Sequence, residues 1–154
     1  MQSLKELIDR YAKPGRVDWI GLRPARRAEM VPVQQVSLGP SGLEGDHGTS
    51  EKRAVTMIQA EHLPVIGAML ERGVEAALLR RNLVVSGLNL AALKGRQVLI
   101  GEAVLEITGI CAPCSRMEEA LGHGGYSAVR GHGGWCARVV TGGVVTLQDA
   151  VAPL

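Results

Sequence analysis

Cys111 and Cys114 stand with two residues between them and Arg116 follows closely, so the stretch from Ile110 to Glu119 holds the densest chemistry of the chain. Four uses of such a pair compete. Buried thiols can simply pack as small apolar side chains. A zinc site needs four ligands, for which Cys111, Cys114 and Cys136 with His123 or His132 are the available set. Only one Cys-x-x-Cys knuckle exists, however, and Cys136 falls inside an expected strand. A thioredoxin-like redox pair belongs at a helix N-terminus in a β-α-β setting that the pattern here does not offer, and it ranks last. A single thiolate serving as metal ligand or sulfur acceptor needs only a lowered pKa, and Arg116 with nearby inward arginines can pull it below the free value of about 8.5. Residue chemistry alone makes this the best of several.

The elements around the pair must present it. Val104, Glu106 and Thr108 alternate with Leu105 and Ile107, which predicts a strand from Ala103 to Ile110 with one face buried. Pro113 fixes its own φ and lacks an N–H, so the strand cannot pass it and the chain turns with Cys114 just beyond. Gln97 to Ile100, the Gly101-Glu102 turn and this strand predict a two-residue β-hairpin that delivers the cysteine turn at its far end. Ser115 to Leu121 suits a short helix.

Three other stretches carry polar chemistry. The loop Gly39 to Gly48 is too glycine-rich for an element interior, and its glycines allow close backbone approach while Asp46 and His47 hold neighbours or bind directly. The plainer reading, a turn whose Asp bonds its own backbone, is favoured on residue physics alone. Arg80 and Arg81 lead into a strand at Leu83-Val84-Val85, so they are expected on opposite faces. One is then a solvated rim charge, while the other, taken as Arg80, points inward only if it finds an anion, a carboxylate or carbonyls. Gly122-His123-Gly124-Gly125 and Gly131-His132-Gly133-Gly134 repeat a His-Gly-Gly theme, expected to be flexible unless a ligand or the core orders it. Arg23, Arg26 and Arg27 read as a solvated hairpin connection outside the site. His62 reads as a surface or capping histidine.

Read in order, Leu4, Leu7, Ile8 and Tyr11 recur at helical spacing behind a Ser3 cap, which predicts an N-terminal helix over 1–15 packed on the body of the domain. Strands are expected over Val17–Leu22, Met30–Leu38 and Arg53–Ile58, and a helix from near Pro64 to a left-handed stop at Gly73. Glu75–Leu79 suits another helical turn. Cys136–Val140 is a last strand, turned by Gly142-Gly143 into Val144–Leu147, after which a solvent-exposed tail is expected. Short strands, few helices and frequent glycine turns indicate a mainly β barrel or sandwich, and 154 residues suit one domain over 1–154.

Composition narrows the function classes. Seventeen Lys and Arg balance fifteen Asp and Glu at a net charge of +2, which demands neither nucleic acid nor membrane as partner, so an anion site must come from local clustering. Aromatic residues are 3% with no Phe, which leaves little for base stacking. Three cysteines make no disulfide framework, the first ten residues carry Lys5, Glu6, Asp9 and Arg10 instead of an apolar signal core, and no apolar run nears the roughly 20 residues of a membrane helix. A cytoplasmic protein is expected.

Taken together, Glu44-Gly45-Asp46-His47, Leu79 to Gly87, the Ile100-Gly101-Glu102 hairpin, Pro113-Cys114 and Gly133-Gly134-Trp135-Cys136-Ala137-Arg138-Val139 followed by Gly142-Gly143 resemble the MOSC domain, the C-terminal domain of molybdenum cofactor sulfurase, which also occurs as small stand-alone bacterial proteins. The resemblance runs in order over roughly Val17 to Val151. It implies a distorted β-barrel with a few peripheral helices, binding of the pterin-based molybdenum cofactor (molybdopterin), and one cysteine that ligates molybdenum or carries sulfur. In the amidoxime-reducing members the ligand is the second cysteine of a Cys-x-x-Cys pair, which lands on Cys114. Arg80 and Asn82 fall on the family's Arg-x-Asn motif, while Arg81 departs from the Pro or Glu common there. Soft thiolate suits molybdenum and arginine suits the cofactor's phosphate. Asp46, His47, Arg53, Arg116, His132 and Gly133 complete the expected cofactor contacts, with His132 or His47 at the mouth of the site and both glycine loops mobile without ligand. The family also carries an association with pyridoxal phosphate binding. Implied partners are a small-molecule substrate, such as an N-hydroxylated compound, and a separate electron-donor or sulfur-donor protein. The competing expectation is a zinc-stabilised binding module with structural cysteines.

Overall fold

A computed structural model describes residues 1–154. The fold is mainly β, and seven strands close into a barrel. In chain order the strands are β1 (Gly15–Leu22), β2 (Val31–Val33), β3 (Gln35–Gly39), β4 (Gly42–Leu43), β5 (Val55–Gln59), β6 (Leu83–Ser86), β7 (Gln97–Ile100), β8 (Ala103–Ile110), β9 (Trp135–Thr141), β10 (Gly143–Thr146) and β11 (Ala150–Pro153). The helices are α1 (Leu4–Ile8), α2 (His62–Leu70), α3 (Ala76–Leu79), α4 (Ser115–Leu121) and α5 (Gly125–Val129). The barrel runs β11-β7-β8-β9-β5-β6-β1, and β1 pairs back to β11 at Gly15 with Val151 and Arg16 with Ala150. β2 extends β1, while β10, β3 and β4 form a small separate sheet. No helix is long and apolar enough to cross a membrane.

Only β5 and β6 pair in parallel, which a tight turn cannot connect, and α2 with α3 supplies the crossover. Both strands are consequently buried on two faces. Val55, Met57, Leu83 and Val85 enter the barrel core, whereas Ile58 and Val84 join Ile66, Leu79, Met117, Leu121 and Val129 beneath the helices. Removing Ile58, Ile66 and Leu79 completely from water contributes about 1.5–3 kcal/mol each to holding the helical layer on the barrel. This layer carries the cysteine turn on α4.

The hairpin β7–β8 forms in the expected register, with Ile100 opposite Ala103 and Gly101 at φ 57°. Five expectations are corrected. The segment after β10 is no exposed tail: β11 closes the barrel between β7 and β1, with Val151 fully buried. Gly142-Gly143 does not fold β10 back on β9. β10 leaves the barrel to pair with β3, because Gly143 sits against Glu102 and Gly142 against the Leu38 carbonyl, where a side chain would clash. Helix α2 stops at Glu71, itself left-handed at φ 53° and bonded to the Gly67 carbonyl, two residues before Gly73. Helix α1 has its Ser3–Glu6 capping box but buries no residue, so Leu4, Leu7 and Ile8 remain exposed and Asp9 is tied to Arg96 by an ion pair at 2.7 Å. The expected Met30–Leu38 strand is two strands interrupted at Gln34.

Candidate functional site

The cysteine turn starts where the β8 ladder ends. The Cys111 N–H still donates to the Gly134 carbonyl at 2.9 Å, after which Ala112-Pro113 leaves the sheet and Cys114 adopts an extended conformation at the N-cap of α4. The Cys114 side chain makes no capping bond and is exposed. It opens onto a cleft of about 440 Å³ whose walls also carry Arg23, Arg27, His47, Arg80 and Arg116. Glu119 is the one carboxylate in the lining, and Arg27, Arg80 and Arg116 form no ion pair. A thiol beside three uncompensated guanidinium groups suits an anionic ligand bearing a soft metal or a sulfur atom.

Arg80 reaches this cleft through the backbone. It ends α3 in the left-handed region at φ 57°, its N–H bonding the Ala76 and Ala77 carbonyls, and its guanidinium donates to the carbonyls of Ala25 and Ala28. Burial first, then the charges of Arg23 and Arg116, lower its pKa, while Asp46 pulls the other way. The Ala25–Ala28 loop is thereby held over the site. Arg80 is not the inward member of the pair, which corrects the expectation: the two arginines end a helix instead of entering a strand, and the side chain that turns inward is Arg81, 5% exposed. Arg81 donates from Nε to Gly133 O at 2.6 Å, from Nη1 to Leu79 O at 2.8 Å and from Nη2 to Cys111 O at 3.3 Å. It staples α3, the glycine segment before β9 and the base of the cysteine turn together.

Asp46 and Asn82 lie beneath the cleft, outside its walls. The Asp46 carboxylate has no exposed side-chain surface and accepts from the Arg23 backbone N–H at 2.6 Å, from Nε at 3.1 Å and Nη2 at 2.8 Å of the same residue, and from the Gly48 N–H at 3.0 Å. Burial raises its pKa, but the Arg23 side-chain bond, the Arg23 backbone bond, the Arg23 charge and the Gly48 N–H together outweigh that and hold it below the ordinary carboxylate range. The Asp does bond its own loop backbone, and it also clamps Arg23 at the cleft wall. Asn82 is fully buried, its amide oxygen accepting from the N–H and hydroxyl of Thr56 and its nitrogen donating to Gly21 O and Asp46 Oδ1. All its side-chain hydrogen-bonding capacity is used within the protein, so in this structure Asn82 braces the floor of the cleft. These bonds anchor the Asp46 loop, which apolar packing alone was not expected to hold.

The remaining expected residues separate from the cleft. Arg53 lies in a short 3₁₀ turn beside Cys136. His132 packs edge-to-face on His62 with ring centroids 5.1 Å apart, and its Nδ1 is buried without a hydrogen-bond partner. Burial and then the charge of His132 lower the His62 pKa, against the opposing pull of Glu61. Gly133 offers its carbonyl to Arg81 and is buried. Of the two glycine loops, only the one with His47 reaches the cleft, and His132 is not at its mouth. The intervening α5 orders the second His-Gly-Gly stretch through buried Ala128 and Val129. The zinc expectation is corrected too: no three His, Cys, Asp or Glu side chains converge as a metal site, since Cys114 is exposed at the cleft while Cys111 and Cys136 are buried.

Arg23 and Arg27 belong to the site although sequence reasoning left them out. Their signal was present as three arginines within five residues, but Asp46, which clamps Arg23, is 23 positions away.

Comparison with known proteins agrees with the fold. The family model of the MOSC domain matches residues 44–152. The crystal structure of YuaD from Bacillus subtilis superposes with a TM-score of 0.81 at 15% identity, covering 90% of this chain and 94% of that one. YiiM from Geobacillus stearothermophilus gives 0.76 at 18% identity, covering 92% and 75%, and YiiM from Escherichia coli gives 0.72 at 21%, covering 90% and 69%. No curated protein sequence matches the chain.

Proposed function

Because the chain belongs to the MOSC domain family, which is associated with the molybdenum cofactor and its sulfuration, we propose that it binds molybdopterin in the Cys114 cleft and reduces N-hydroxylated compounds there. One observation carries the reading: an exposed thiol and the unpaired cations Arg80, Arg116 and Arg27 share the cleft. The donor set fits the group, with Cys114 as the soft ligand to molybdenum and the arginines as partners of the phosphate. When bound, the cofactor supplies the two-electron chemistry. Cys114 would orient it, the guanidinium groups would fix its anionic end, and His47 in the cleft wall would exchange a proton with substrate. The reading calls for electrons from a flavin or iron–sulfur donor.

A second reading, a sulfur or cofactor carrier, is supported by the freedom of the Cys114 sulfur, which caps nothing and faces solvent. It needs a sulfur-donor protein in place of the electron donor. Both readings are tested on full-length protein purified from a host that makes the cofactor. Wild type should retain molybdenum and pterin in equal amounts, Cys114→Ser should lose most of both, and Cys111→Ser should keep a substantial part. Wild type without molybdenum would overturn both readings. Turnover of an amidoxime with an artificial reductant supports the reductase, and loaded but inactive protein that accepts sulfur on Cys114 supports the carrier.

A further inference from the structure

Two thiols outside the cleft are brought together by the barrel. β8 and β9 pair with Gly109 opposite Cys136 and Ile110 opposite Trp135, and the ladder continues through the Cys111 N–H to Gly134. Cys111 and Cys136 are therefore diagonal neighbours on one face of the pair, the face turned away from exposed Ile110. Gly109 puts no side chain between them, and a Cβ built on it would meet nothing within 4 Å. The two thiols lie close enough beside this open space to shift each other's acidity, and the Cys136 thiol donates to the Ile110 carbonyl at 4.0 Å. Arg53 lies beside Cys136 and its charge favours the thiolate, and Arg81 holds the Cys111 carbonyl. Neither sulfur takes part in the function proposed above.

We propose that Cys111 and Cys136 are a redox pair separate from Cys114, which a hydroperoxide converts into an intrachain disulfide across β8 and β9. The roles follow from the surroundings. The neighbouring Cys111 thiol, against burial, and then the nearby Arg53 guanidinium make Cys136 the more acidic thiol, whereas the Cys136 thiol and burial push Cys111 up. Cys136 is thus the attacking sulfur and Cys111 the resolving one. The Cys136 sulfur attacks one peroxide oxygen, the O–O bond breaks, and with the thiol proton a water leaves, giving Cys136 sulfenic acid. The Cys111 sulfur then attacks the Cys136 sulfur. The S–O bond breaks, the hydroxyl leaves as a second water with the Cys111 proton, and the S–S bond forms. Two electrons pass from the dithiol to one hydrogen peroxide. The bond would pin the end of β8 to β9 at the base of the turn that carries Cys114.

The experiment treats full-length protein with hydrogen peroxide, alkylates the remaining thiols, and maps digested peptides by mass spectrometry. The expected result is a Cys111–Cys136 linked peptide, two hydrogens lighter than the free pair and reversed by dithiothreitol, with Cys114 alkylated. Cys114→Ser should form the same link, and Cys111→Ser should stop at a Cys136 sulfenic acid that dimedone traps. If Cys111→Ser fails to fold, the Cys114→Ser result decides alone. A Cys111–Cys114 link, or Cys136 left unoxidised while Cys114 reacts, would overturn the proposal.

Discussion

The Asn82 amide donates to the Asp46 carboxylate at 3.1 Å, joining the start of β6 to a loop 36 positions earlier directly beneath the cleft. Asn82 simultaneously fills the polar needs of Thr56 and Gly21, so three segments meet on one buried side chain.

Asn82→Ala should therefore act first on the fold. It leaves the Thr56 N–H, the Gly21 carbonyl and part of Asp46 without partners in the interior, for a loss of about 2 kcal/mol or more in urea denaturation. Cofactor retention should fall in parallel with stability. Unchanged stability with lost retention would mean that Asn82 meets the ligand instead.

The adjacent arginines should divide their effects. Arg81→Ala abandons three carbonyls and opens a space in the interior, and the thermal midpoint should drop clearly, at a cost of roughly 2–4 kcal/mol. Arg80→Ala should change stability less and weaken cofactor binding by about 1.5 kcal/mol or more, the loss of a charge-assisted contact. Calorimetry and cofactor titration on the same two variants check both halves.

Stability should also depend on Asp46. Its folded pKa lies below the unfolded value of about 3.9, so the native state binds the proton less readily than the unfolded chain. The contribution is complete above that unfolded value and is lost as pH falls through the folded pKa. Asp46→Asn should be less stable at neutral pH and should lose less than wild type on acidification from about pH 5 to pH 3. Parallel curves for the two proteins would refute the coupling.

Much of the barrel was legible where partners are close in sequence. The β7–β8 hairpin needs only alternation and a two-residue turn, and α4 needs only the stop at Pro113, so both could be read locally. β11 could not: Ala150 to Pro153 is short, contains a proline, and earns its place solely by pairing with strands about 50 and 135 positions away. The arginine pair was misassigned because a left-handed Arg80 ends a helix where strand alternation was assumed. In the site, residue types pointed to Cys114, Arg80, Arg116 and His47, which the fold brings to one cleft. Asp46 and Asn82 have the same polar character, and only burial reveals that their bonds are already spent within the protein.

Backbone approach gives a further test. Gly134 has φ 96°, and a Cβ there would stand 2.0 Å from the Met57 carbonyl oxygen, so Gly134→Ala should destabilise by roughly 2–4 kcal/mol. Gly133→Ala should be milder, since its nearest obstacle is a Val129 methyl at 2.9 Å and its φ is ordinary. Denaturation midpoints of the two variants should differ in that order.

The position of β11 has a kinetic meaning. β1 is synthesised before every other strand of the barrel, yet one of its edges waits for Ala150 and Val151. Until then β7 also lacks a neighbour, and two strand edges of the nascent chain stand open to pairing with other molecules. Closure joins residues separated by nearly the full length described, the kind of long-range pairing that slows folding. The barrel must therefore be completed after synthesis has passed Val151, and the interval before that is when the chain has most need of a chaperone.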